Sequence, residues 1–156
     1  MKSHLISRRM VISMMFAIPA LFPVLPAYAQ YVAADAIVGT WEADDGTIKL
    51  AMVKDGPEFQ AHLLYGNQVV ESDNVTFRKD AKNPDPALRS RSLKNIVFLR
   101  GLRWEDGKWI GGSLYDASSG RTYRCEVVLE DDKMRLRGYI GIPALGQTRV
   151  FHRVSQ

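Results

Sequence analysis

Eight short segments that alternate apolar with polar residues, or run apolar outright, follow one another after residue 30, and no helical pattern of useful length competes with them. They cover residues 37–43, 47–53, 58–65, 96–104, 108–115, 121–129, 133–141 and 147–154. Most are joined by short turns rich in Asp, Ser and Gly: Asp44-Asp45-Gly46, Asp55-Gly56-Pro57, Glu105-Asp106-Gly107, Ser118-Ser119-Gly120 and Glu130-Asp131-Asp132. Such residues tolerate the positive φ of tight hairpins, so each turn joins neighbours in sequence. Tyr123, Cys125, Val127 and Leu129 share one face while Arg124, Glu126 and Glu130 share the other, and Met134, Leu136 and Ile140 likewise oppose Arg135 and Arg137. One-sided burial with short turns predicts an all-β fold, a single up-and-down antiparallel β-barrel of about eight strands, because closure removes the exposed sheet edges.

One connection breaks the meander. Residues 79–93 are highly charged and carry Pro84 and Pro86, which fix φ and remove two N–H donors, while Asp85 is placed to cap the short turn from Pro86 to Arg89. The two prolines with Leu88 and Leu93 predict a long, ordered, proline-containing loop folded across one end or one wall of the barrel.

The net charge of +4 first suggests nucleic acid or an anionic membrane. The N-terminus changes that reading. Lys2, Arg8 and Arg9 precede an acid-free apolar run over 10–26, then Ala27-Tyr28-Ala29, the order of a secretory signal peptide with cleavage after Ala29. An uncleaved anchor is the alternative, against which stand the short run and its interruption by Pro19, Pro23 and Pro26. Export by the general secretory route or, given Arg8-Arg9, by the twin-arginine route leads to the periplasm or beyond. The expected mature chain of 127 residues (30–156) keeps 18 basic and 17 acidic residues, a net +1, with no transmembrane segment. The arginines at 89, 91, 100, 103, 124, 135 and 137 then read as a solvated face, and nucleic acid is not an expected partner. Cys125 stands alone, so no internal disulfide forms.

Catalytic and metal signatures are weak. His62, His152 and Cys125 lack zinc-site spacing, and Asp80, Asn83 and Asp85 lack the pattern of a calcium loop, so no metal and no cofactor is expected. Gly-x-Ser-x-Gly is absent, Ser113 lies inside a strand segment, and Cys125 shares an apolar face with Tyr123 and Val127. Asp116 with Asp80 or Asp85 would give a carboxylate pair for a weak hydrolase or isomerase, but Asp116 beside Ser118 and Ser119 is read more simply as a hairpin turn. No catalytic residue is assigned.

Gly39-Thr40-Trp41 opens the first strand, and this Gly-x-Trp followed by a meander resembles the lipocalin and fatty-acid-binding barrels. Within that group, residues 80–89 (Asp-Ala-Lys-Asn-Pro-Asp-Pro-Ala-Leu-Arg), 111–116, 120–123, 136–141 and 146–149 resemble the bacterial secreted family called domain of unknown function 2147, a likeness covering 37–154. The resemblance implies a small lipocalin-like barrel with no established reaction. It also implies that Trp41, following Gly39, closes the barrel floor under an arginine of the last strand, Arg149 or Arg153, a cation–π contact worth about 0.5–2 kcal/mol. Family members often carry cysteines in the second and third strands; residues 49–63 have none, so no thiol role exists there.

Three functions stay open. In the first, the barrel binds a small apolar or amphipathic molecule, with Trp104, Trp109, Tyr115, Tyr123 and Tyr139 as pocket candidates and Arg137 or Arg149 meeting a polar head; the same side chains would alternatively fill the barrel. In the second, the chain is an envelope protein-interaction module acting through Asp80, Lys82, Asn83, Asp85 and Arg89 of the proline loop. The third is the weak enzyme built on Asp116.

Overall fold

The computed structural model describes residues 33–154; the predicted leader and its cleavage point lie outside the described residues. Eight strands follow in chain order: β1 (Gly39–Ala43), β2 (Ile48–Asp55), β3 (Glu58–Gly66), β4 (Val97–Glu105), β5 (Lys108–Asp116), β6 (Arg121–Glu130), β7 (Lys133–Tyr139) and β8 (Gln147–Arg153). Each pairs antiparallel with its neighbour, and β1 also pairs with β8 through Trp41↔Arg153 and Ala43↔Phe151, which closes the barrel. Strand alternation sets the inward face: Trp41 and Ala43 of β1, Leu50 and Met52 of β2, Cys125 and Val127 of β6, and Met134 and Leu136 of β7 are all buried. The pairs Val127↔Leu136 and Met134↔Phe151 carry this face across the last three strands.

Closure requires the strands to bend. Gly101 and Gly111 adopt φ of +77° and +76°, a region open to glycine, and the β5–β6 register jumps between Trp109 and Gly112. Between β6 and β7 the turn is made without glycine, by Asp131 and Asp132 at φ of 49° and 60°.

The first strand segment begins later than its sequence pattern predicts. Residues 33–35 form a helical turn instead, and Ile37 is fully buried ahead of β1. Three side chains hold this segment by its carbonyls: Trp109 Nε1 donates to Ala34 O at 3.0 Å, Trp41 Nε1 to Ile37 O at 2.8 Å, and Arg153 to Ala36 O and Val38 O at 2.6 and 2.7 Å. These bonds take carbonyls that a strand would have paired, and they fasten the segment as a plug over one end of the barrel. The β7 segment likewise stops at Tyr139, before Gly141 at φ +79° and a 3-10 turn at Pro143–Leu145.

The long connection from β3 to β4 lies at the other end. It is tied by two isolated bridges, Val70↔Phe77 and Lys79↔Ser92, and carries a 3-10 turn at Pro86–Leu88 that Asp85 caps through Ala87 N. Lys82 Nζ donates to Ser118 O at 2.5 Å, which places the proline loop against the β5–β6 turn. Among the described residues no helix is long and apolar enough to cross a membrane.

Candidate ligand cavity

The barrel is closed at one end and open at the other. At the closed end the Arg153 guanidinium lies 4.2 Å from the Trp41 ring centroid. A Cβ added at Gly39 would overlap Arg153 Nη1, so the glycine makes room for the arginine. Gly39, Trp41 and Arg153 therefore form the floor together. Trp104 and Trp109 belong to the same end: they are Cα partners beside the β4–β5 hairpin, their rings are 4.5 Å apart, and Phe59 meets Trp109 edge-on at 6.5 Å.

Above this floor a cavity of about 770 Å³ opens toward the β1–β2, β3–β4, β5–β6 and β7–β8 connections. Leu63, Val69, Ile96, Leu114, Leu136 and Phe151 give it an apolar wall, and Tyr115, Tyr123 and Tyr139 border it. Thr47, Asn67, Gln68, Gln147 and Thr148 supply neutral polar groups, and Arg149 is the cation on the lining. The cavity is lined largely by residues near the open ends of the strands.

Of the pocket candidates, the three tyrosines border the cavity, and Trp104 and Trp109 do not. The tryptophans sit where β4 ends and β5 begins, and they are engaged in the floor. Arg137 is also off the wall: it donates to Pro143 O, Ala144 O and Thr148 Oγ1 and so braces the β7–β8 connection. Arg149, four residues before Arg153 on a strand that runs from mouth to floor, is at the mouth and bonds Thr47 Oγ1 and Asp45. Of the two candidate arginines, Arg153 covers Trp41. Sequence reasoning missed Leu114 and Leu136, whose inward alternation was legible, and the 67–69 segment, for which no pattern spoke.

The proline loop turns its polar side chains onto the barrel. Asp80 is fully buried. It accepts from Tyr115 Oη at 2.5 Å, Asn83 Nδ2 at 2.7 Å, and Arg91 Nε and Nη2 at 3.0 and 2.7 Å. Burial by itself would raise the Asp80 pKa, but the bonds from Tyr115, Asn83 and Arg91 and the Arg91 charge outweigh it and hold the carboxyl below its ordinary range. Burial and the adjoining carboxylate push the Tyr115 hydroxyl up to about 12. Asn83 Oδ1 accepts from Asp85 N, Arg89 Nε donates to Asn83 O, and Lys82 holds Ser118 O. The loop is thus a brace on the cavity wall, joined to it through Tyr115.

Asp116 closes its own turn, accepting from Ser118 N and Oγ and from Ser119 Oγ. Burial opposes ionisation there, and these serine bonds override it, leaving the carboxyl low. Cys125 is buried, and burial raises its thiol to about 12. His62 faces Asn95 O, and His152 lies 2.9 Å from Asp44, on separate parts of the barrel.

The profile of the family described as "Uncharacterized protein conserved in bacteria (DUF2147)" matches residues 39–153. The chain belongs to this family. This DUF2147 protein is also similar to a solved structure described as protein HP1028 from the human pathogen Helicobacter pylori, which belongs to the lipocalin family. The two are 25% identical, with a TM-score of 0.64 over 76% of this chain and 83% of that one. The fluorescent protein UnaG, in a mutant form, overlaps it with 14% identity and a TM-score of 0.44, over 78% of this chain and 99% of that one. A comparison with curated proteins finds no match. The DUF2147 chain is a lipocalin-like closed barrel, a fold consistent with small-ligand binding.

Proposed function

We propose that this protein is an exported, non-enzymatic carrier that holds one small apolar or amphipathic molecule in the barrel, delivered to the periplasm or beyond by a leader ending at Ala29. The observation that carries the reading is the floored cavity of about 770 Å³, within the roughly 300–1,000 Å³ typical of small-molecule sites. Its wall favours hydrocarbon: burial stabilises by about 25 cal/mol per Å² of apolar surface. The tyrosines, the neutral side chains of the mouth and Arg149 are placed to orient a polar end. The order of charges, apolar run and Ala27-Tyr28-Ala29 supports export.

Two measurements test this. Mass spectrometry of an organic extract of the protein purified from the periplasm should find a retained small molecule, and a fluorescent fatty acid should bind and be displaced by it. Leu114→Trp, which enlarges a side chain of the cavity wall, should weaken the probe roughly tenfold or more. An empty extract together with no probe binding, or probe binding indifferent to Leu114→Trp, rejects the reading.

A further inference from the structure

The β7–β8 connection stands at the mouth and presents an apolar tip. Ile140, Ile142 and Leu145 are 66%, 57% and 78% exposed within six residues, and Pro143 and Ala144 between them are exposed as well. Exposed aliphatics grouped in this way are costly in water unless something covers them. The tip is also stiff. Leu145 N and Gly146 N donate to Ile142 O and Pro143 O, and Arg137 takes Pro143 O and Ala144 O. Carbonyls already bonded within the tip lower the cost of moving it into a less polar medium.

Among the described residues, the charge left without an ion pair beside it is positive. The mouth-side stretch from Arg137 to Arg149 contains no Asp or Glu. Arg137 at the base of the tip bonds only neutral oxygens, and Arg121 and Arg124 project from the adjoining β6, Arg124 in register with Tyr139 of β7. The carboxylates nearby are engaged: Asp45 with Arg149 and Thr47, Asp116 in its own turn, Asp80 with Arg91, and Glu126, the cross-strand partner of Arg137, with Lys108. Three aliphatic side chains on a narrow hairpin are far short of the roughly 1,200–2,000 Å² that a stable protein interface buries. An apolar tip with Arg137 at its base and exposed Arg121 and Arg124 on the adjoining strand matches instead a bilayer with anionic headgroups.

We propose that the β7–β8 tip docks the barrel mouth on an anionic lipid bilayer, where the ligand enters or leaves the cavity. The proposal rests on the carrier reading above for what passes through the mouth, but the docking is measured apart from it. Ile140 and Leu145 line the cavity as well as standing exposed on the tip, so one hairpin joins the two.

Cosedimentation of the protein purified from the periplasm, as above, with phosphatidylglycerol vesicles and with phosphatidylcholine vesicles tests it. The wild type should bind the anionic vesicles at least roughly tenfold more tightly, and added salt should weaken that binding. Ile142→Asp with Ala144→Asp, both off the cavity lining, should lose binding roughly tenfold or more, as should Arg121→Glu with Arg124→Glu, while Ile142→Leu retains it. Probe binding in solution should be unchanged in all of them, which separates failed docking from failed ligand binding. Equal binding to both vesicle types, no binding by the wild type, or an Ile142→Asp, Ala144→Asp variant that binds like the wild type overturns the proposal. So does a change in oligomeric state in that variant, which would assign the tip to a second copy.

Discussion

Asp80→Asn removes one charge from a fully buried position and leaves the side-chain shape intact. The carboxylate serves four donors: Tyr115 Oη on one oxygen, and Asn83 Nδ2, Arg91 Nε and Arg91 Nη2 on the other. An asparagine can present an oxygen to only one side, so its amide nitrogen faces donors on the other. Breaking a buried ion pair costs about 3–5 kcal/mol. The Arg91 side chain is 35% exposed and can turn toward water, so the low end applies, about 3 kcal/mol. For a domain of this size that corresponds to roughly 10 °C in Tm.

Urea unfolding followed by tryptophan fluorescence measures the loss, and its pH dependence tests the cause. The folded-state pKa of Asp80 is depressed below its ordinary 3.8. Its contribution is therefore fully present above that value and is lost as pH falls through the lower folded value. The gap between wild type and Asp80→Asn should stay flat from pH 7 to about 5 and close below about pH 4. A loss under about 1 kcal/mol, or a gap as wide at pH 3 as at pH 7, would refute the view that this ion pair anchors the loop.

Gly120 sits at φ +74°, and an added Cβ would collide with the Lys82 carbonyl oxygen. Gly120→Ala should therefore cost more than about 2 kcal/mol in the same urea assay, against about 1 kcal/mol for Gly46→Ala, which has φ +68° but open space around it. Arg153→Ala frees the Ala36 and Val38 carbonyls and uncovers Trp41, and should cost about 2 kcal/mol with a shift in tryptophan emission. Native Cys125, with its thiol near 12, should resist iodoacetamide at pH 8 and react once urea unfolds the barrel; rapid native labelling would contradict its burial.

Period-two alternation writes which side of a strand faces inward, and that much of the barrel was legible. Tyr123, Cys125 and Val127 face in as the pattern of β6 requires, and the Asp and Gly turns join neighbours in order. Height along the barrel axis is not written in that pattern. Trp109 and Leu114 both lie on β5 and both are apolar, yet five residues of strand, roughly 16 Å, put one in the floor and the other on the cavity wall. Arg149 and Arg153 differ in the same way, by four residues of β8. The Asp80 network was illegible for a different reason: its partners Asn83, Arg91 and Tyr115 are 3, 11 and 35 residues away, and only the folded loop brings them together.

This division along the axis bears directly on ligand choice. The three tryptophans are gathered at the floor, where two of their indole N–H groups hold the plug segment, so none is left on the cavity wall. A wall of Leu, Val, Ile and Phe with tyrosines offers dispersion and area-dependent burial rather than stacking on indole. Affinity in such a site should follow the hydrocarbon content of the ligand more than its aromatic character. Probe series that differ by methylene number should therefore show affinity rising steadily with chain length until the cavity is filled, by about 0.8 kcal/mol per buried methylene.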